Sequence, residues 1–189
     1  WPGREGKVTP VFVYTNHPTA ELFINGKSYG KQSKNNSSLK NRYRLMWMDA
    51  VYEPGEIKVV AYNKDGKAVA EKIVRTAGKP HHIELVSNRN ELTADGKDLA
   101  YVTIKVVDKD GNLCPADNRQ INFSVKGTGK YRAAANGDPT NLEQFHLPKM
   151  HAFNGMLTAI LQAGETAGEI VFTAKANGVK AGNIRIQTK

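Results

Sequence analysis

Asp138, Glu143, His146 and His151 fall within one stretch of eighteen residues, Asn136 to Phe153, which reads NGDPTNLEQFHLPKMHAF. Carboxylates and imidazoles of this kind could touch a ligand, and His146 and His151 could bind a metal ion. Asn136 and Phe153 close the candidate contact set, for carbohydrate or for a neighbouring domain. The competing reading is that these side chains cap turns and meet solvent. Trp47, with Tyr52, is the other place where chemistry could happen, because sugars stack on flat aromatic platforms flanked by hydrogen-bonding groups. Both aromatics lie inside strand-like sequence, which favours core anchors. Cys114 is the single cysteine, so it makes no internal disulfide and no zinc site by itself. It reads as a small apolar residue beside a turn; a catalytic thiol would need a histidine brought close in space. Asp108-Lys109-Asp110-Gly111 resembles the start of a calcium loop but lacks its later ligands and closing Glu, and reads as a plain hairpin turn.

Net charge is +9, with 13 basic and 7 acidic side chains in residues 1–78 against 14 and 11 in 79–189. The excess concentrates in Lys31 to Arg44, five cations with no acid. A polyanion surface is one reading of such a segment, yet only Tyr43 supplies an aromatic for base stacking, so a solvated or interdomain loop is expected and no nucleic acid. No apolar run is long enough to cross a membrane, and none of these patterns calls for a cofactor or a metal. The chain starts Trp-Pro-Gly without Met, as an excised piece of a longer protein would.

These residues must be positioned by strands. Alternating apolar runs are punctuated by Asn25-Gly26, Tyr52-Glu53-Pro54-Gly55, Asp65-Gly66, Asp110-Gly111, Asn154-Gly155 and Asn177-Gly178, and Asn-Gly or Asp-Gly between such runs signals tight hairpins. Val8 to Tyr14, Glu21 to Ile24 and Glu56 to Tyr62 read as strands. In the second half Leu99 to Val107, Ile121 to Val125, Tyr131 to Ala135, Met156 to Gln162 and Glu169 to Ala176 do the same. Leu92 to Gly96 and Lys126 to Gly129 read as turns, and residues 136–153 as a long loop whose apolar members argue against disorder. Thr76 to Pro80 interrupts the pattern as a short linker. With about six or seven strands a side and turns every 8–12 residues, the fold expected is all-β, two tandem immunoglobulin-like β-sandwiches over residues 1–78 and 79–189.

The first half resembles a region downstream of the catalytic barrel in bacterial β-galactosidases of glycoside hydrolase family 2. The resemblance rests on Trp1 to Lys7, Val13 to Asn16, Ala20 to Ser28, Arg44 to Trp47, Tyr52 to Tyr62 and Arg75 to Pro80. The second half is similar to the domain that follows in such enzymes, a bacterial immunoglobulin-like or invasin-type sandwich. Leu92 to Leu99, Val106 to Leu113, Asn136 to Thr140 and Ala152 to Gly155 carry that match.

The resemblance implies a parent glycosidase whose two catalytic carboxylates lie on a barrel that this chain lacks, so no catalytic residue is transferred to it. It implies a non-catalytic accessory role, with the barrel and sandwich domains of the same parent chain as partners. A periplasmic or cell-surface location for the parent is implied too. Two alternatives stand beside it: a carbohydrate-binding module that uses Trp47, and an adhesin-like surface domain.

Overall fold

The computed structural model describes residues 3–189; Trp1 and Pro2, which head the first family-like segment, lie outside the described residues. The chain divides into two compact units, Trp1–Thr76 and Ala77–Lys189. All regular structure among the described residues is β.

The first unit contains β1 (Val11–Tyr14), β2 (Thr19–Ile24), β3 (Lys27–Ser33), β4 (Arg44–Trp47), β5 (Glu56–Tyr62) and β6 (Ala68–Arg75). A four-stranded antiparallel sheet of order β3-β2-β5-β6 faces a two-stranded sheet, β1-β4. Asn25 and Gly26 join β2 to β3 with φ of 49° and 80°, the two left-handed residues that a tight primed turn requires. Alternation sends Ala20, Leu22 and Ile24 of β2 inward, where they meet Leu45 and Trp47 of β4 and Ala61 of β5. A side chain of Leu or Ile size buried in this way contributes about 1.5–3 kcal/mol.

The second unit contains β7 (His82–Ser87), β8 (Glu91–Leu92), β9 (Leu99–Val107), β10 (Gln120–Gly127), β11 (Gly129–Ala135), β12 (Lys149–His151), β13 (Met156–Ala163), β14 (Gly168–Lys175) and β15 (Gly182–Thr188). Its sheets run β11-β13-β9-β7 and β12-β10-β14-β15-β8. The inward residues of β9 (Ala100, Val102, Ile104, Val106) and β13 (Leu157, Ala159, Leu161, Ala163) share one core with Ile121, Phe123, Ile170, Phe172 and Ile186 of the opposing sheet. Both units are thus two-layered immunoglobulin-like sandwiches.

Four local expectations change. Val8 to Pro10 is not continuous strand: Val8 makes an isolated bridge to Val51, and β1 begins at Val11. β3 forms from KSYGKQS, a run polar apart from Tyr29, because pairing with β2 supplies its backbone partners. Leu92 is not merely a turn residue. Buried at the end of β8, it anchors a two-residue parallel pairing with Gln187 and Thr188 of β15. The turn expected over Lys126 to Gly129 shrinks to Thr128 between β10 and β11.

Candidate functional site

The loop from Asn136 to Phe153 joins four of its six candidate residues by hydrogen bonds and leaves His146 and Phe153 outside that network. Asn136 accepts a bond from the Asp138 N–H and donates its side-chain amide to the His151 carbonyl, both at 3.0 Å. Glu143 receives the His151 N–H on one carboxylate oxygen and meets His151 Nδ1 on the other, again at 3.0 Å. Asp138 caps the Thr140 N–H and hydroxyl. His146 is exposed, and no hydrogen bond to it occurs among the described residues. Partial burial would raise the Glu143 carboxyl, but the bonds from His151 hold it below its ordinary range. Apart from the exposed His146 and the buried side-chain N–H groups of Asn141, which lack an acceptor, the polar groups of this loop fix its own backbone. No group of three or more His, Cys, Asp or Glu side chains that could hold a metal is found among the described residues.

Inside this segment, where a long loop is expected, lies β12. Lys149, Met150 and His151 pair with β10, and Met150 is fully buried between two exposed neighbours. That period of two was the available signal, too short to stand out at three residues. The Tyr131 hydroxyl of β11 lies 2.9 and 2.8 Å from the carbonyls of Phe145 and Leu147, tying the outer loop to the sheet. Burial pushes that phenol up to about 12. The apolar members divide: Met150 enters the core, Phe153 is half-buried, and Leu142 and Phe145 stand in solvent, Leu142 at 96% exposure.

Trp47 offers no platform. Its ring is 1% exposed, and its indole N–H donates to the Gly30 carbonyl of β3 at 3.1 Å. As a candidate carbohydrate contact it is corrected to a core anchor: both ring faces are covered within the first unit. Cys114 is likewise buried, and burial, with Asp108 and Asp117 nearby, pushes its thiol up, away from the thiolate that reactivity needs.

Asp108, whose turn carried only a faint likeness to a calcium loop, is 2% exposed and fully engaged. It accepts the N–H groups of Gly78, Asp110 and Asn112 at 2.8–2.9 Å and the Asn112 side-chain amide at 3.0 Å. Those bonds, the Gly78 N–H foremost, hold its carboxyl far below the carboxylate range. Donors fill the positions a cation would need, so the group is a structural hub of the second unit.

The basic stretch is mostly committed within its own unit. Lys31 lies in β3 with its ammonium 4.0 Å from the centre of the Tyr62 ring. Lys34 donates to the Thr15 carbonyl, and Arg42 makes two bonds to the Asn36 carbonyl. Arg44 differs: its guanidinium stands over the Phe12 ring at 5.5 Å, and its buried Nε has no partner.

Several carboxyls of the second unit are held low. Asp95 and Asp98 accept backbone N–H bonds, the latter with Arg89 in addition. Asp108 and Glu143 are held as described above. Asp117, despite partial burial, is brought down by Arg119. A folded pKa below the unfolded one gives stability that is complete above the ordinary carboxylate range and lost as pH falls through the folded value. In the first unit Glu21, bonded by Ser28 and Tyr62, and Glu5 behave alike. Acidification from pH 5 to pH 3 is therefore expected to lower the melting temperature of both units, that of the second more than that of the first. Calorimetry across that range checks it.

Comparison with known proteins places this architecture. Residues 83–185 match glycoside hydrolase family 2 C-terminal domain 5, and residues 6–70 match a domain of unknown function, DUF4982. The chain belongs to glycoside hydrolase family 2, as material of its C-terminal domains. It is 38% identical over 190 residues to Beta-galactosidase BoGH2A of Bacteroides ovatus, covering 100% of this chain and 22% of that protein. A glycosyl hydrolase family 2 member from Bacteroides cellulosilyticus superposes with a TM-score of 0.90 at 34% identity, over 100% of this chain and 24% of its own. A beta-glycosidase from Bacteroides vulgatus gives 0.91 at 30% identity, over 99% and 23%. The chain thus spans less than a quarter of the length of each of these three proteins.

Proposed function

We propose that the chain is a non-catalytic C-terminal part of a β-galactosidase-type hydrolase, in which its two sandwiches act as packing modules for the other domains. One observation carries this reading. Residues 83–185 match a C-terminal domain of glycoside hydrolase family 2, and the whole chain aligns with less than a quarter of the length of the relatives it resembles. A retaining glycosidase needs two carboxyls about 5–5.5 Å apart in one site, one of them held protonated as the general acid. Asp95, Asp98, Asp108 and Glu143 instead accept backbone N–H bonds that fix turns and strand ends. The chemistry then belongs to a barrel elsewhere in the polypeptide, and the galactoside acted on is set there. The barrel and the other sandwich domains of that polypeptide are the partners, and the location is the periplasm or cell surface.

The test compares the 189-residue chain with the longer polypeptide on aryl β-galactosides. The chain alone is expected to leave the uncatalysed rate unchanged, while the longer polypeptide hydrolyses the substrate. Turnover by the isolated chain would overturn the proposal.

A further inference from the structure

β1 reads VFVY, and only its inward residues are accounted for. Val11 and Val13 pack on the core of the first unit, whereas Phe12 and Tyr14 point outward at 44% and 69% exposure. In register they lie opposite Met46 and Arg44 of β4, and Val8 and Met48, on the flanking segments, are exposed as well. Among the described residues β1 pairs with β4 alone, so its other edge is free. That edge borders a groove of about 360 Å³ whose walls include Val11, Val13, Val59 and Val74, with Glu71 and Lys72 at its side. Natural sheets protect a free edge with charges, bulges or prolines within the strand, and VFVY has none of these.

The polar groups on this face point to what covers it. Arg44 makes no ion pair among the described residues, and its Nε is buried without an acceptor. Nε is enclosed by the first unit's own atoms, so an incoming carboxylate would meet the outer N–H groups of the guanidinium, which have no acceptor among the described residues.

We propose that the outer face of the β1–β4 sheet is a docking surface for another domain of the same polypeptide, one that presents an apolar patch with a carboxylate placed to meet Arg44. Aromatic, Met and Arg side chains around an apolar centre are the composition of protein interfaces. A glycan fits less well, because Val8, Met46 and Met48 offer sugars nothing and the Arg44 guanidinium already covers one face of Phe12. A second copy fits less well too: a twofold contact sets like faces together, and none of Val8, Phe12, Tyr14, Met46 or Met48 offers Arg44 a carboxylate. The inference rests on the reading of this chain as part of a longer hydrolase.

Hydroxyl-radical footprinting of Phe12, Tyr14 and Met48 tests it, in the 189-residue chain and in the longer polypeptide. Modification is expected to be about tenfold slower in the longer polypeptide, as for the desolvated centre of an interface. Arg44→Glu is expected to restore fast modification there; Arg44→Gln serves should the reversed charge disturb folding, which amide exchange over β4 reports. Equal modification in both proteins would overturn the proposal. So would protection of the isolated chain that grows with its concentration, the mark of a second copy, or protection that appears only with added polysaccharide. Hydrolysis of an aryl galactoside is measured on the same longer sample: activity without protection refutes this surface alone, and protection without activity refutes the hydrolase reading alone.

Discussion

Trp47→Ala is expected to abolish amide protection across β2, β4 and β5 while β9 and β13 keep theirs. The first sandwich has a small core: apart from Trp47 it buries Ala20, Leu22, Ile24, Leu45, Ala50 and Ala61. Trp47 is the largest of these, and its indole N–H also ties β4 to Gly30 of β3, which belongs to the facing sheet. Truncating a buried Trp to Ala costs about 3–5 kcal/mol through lost transfer energy and the cavity left behind. That is a large part of the stability of a domain of this size. The second unit has its own core, so the loss is confined to the first. Hydrogen exchange resolved by segment reads both halves at once. Retained protection in β2 and β5 would mean that the ring is dispensable to packing and would reopen a surface role for it.

Gly127→Ala is expected to destabilise the second sandwich by about 3 kcal/mol or more, among the larger effects of a single substitution. Gly127 closes β10 with φ of 93°, and a Cβ there would stand 1.8 Å from the Glu169 carbonyl oxygen. That oxygen accepts the Thr128 N–H at 3.0 Å, so it cannot retreat without loss of the bond that turns the chain from β10 into β11. Gly111→Ala is the matched control. Its φ of 83° is equally left-handed, but a Cβ would meet nothing within 4 Å, leaving only the conformational cost of about 1–2 kcal/mol. Urea unfolding midpoints of the two variants separate clash from conformation. Equal losses would show that β14 yields freely at Glu169.

Legibility followed the range of the forces involved. Asn25-Gly26 and Asn154-Gly155 place both residues at positive φ, because a two-residue hairpin imposes that conformation locally and the sequence must answer it locally. β13, MLTAILQA, buries every second side chain as its alternation suggests. What stayed hidden depends on partners far away in the chain. β3 has Tyr29 as its single apolar core contact in an otherwise polar run and exists because β2 accepts it; β8 pairs with a strand ninety-six residues later, at Gln187 and Glu91. In the candidate loop, composition named Asn136, Asp138, Glu143 and His151 as a group. That they knit backbone rather than face a ligand follows from β12 returning His151 to Glu143, a contact no local pattern encodes. Asp108 passed as an ordinary turn residue for the same reason: its strongest partner, the Gly78 N–H, comes from thirty residues upstream.

Native gels cast with galactose-bearing and other plant polysaccharides separate sandwiches that pack against protein from sandwiches that grip a polysaccharide. The 189-residue chain is expected to migrate in every gel as it does in a polysaccharide-free one. Retardation on one glycan, abolished by Glu143→Ala or Tyr14→Ser in a protein that remains folded, would contradict the account and make the chain a carbohydrate-binding module.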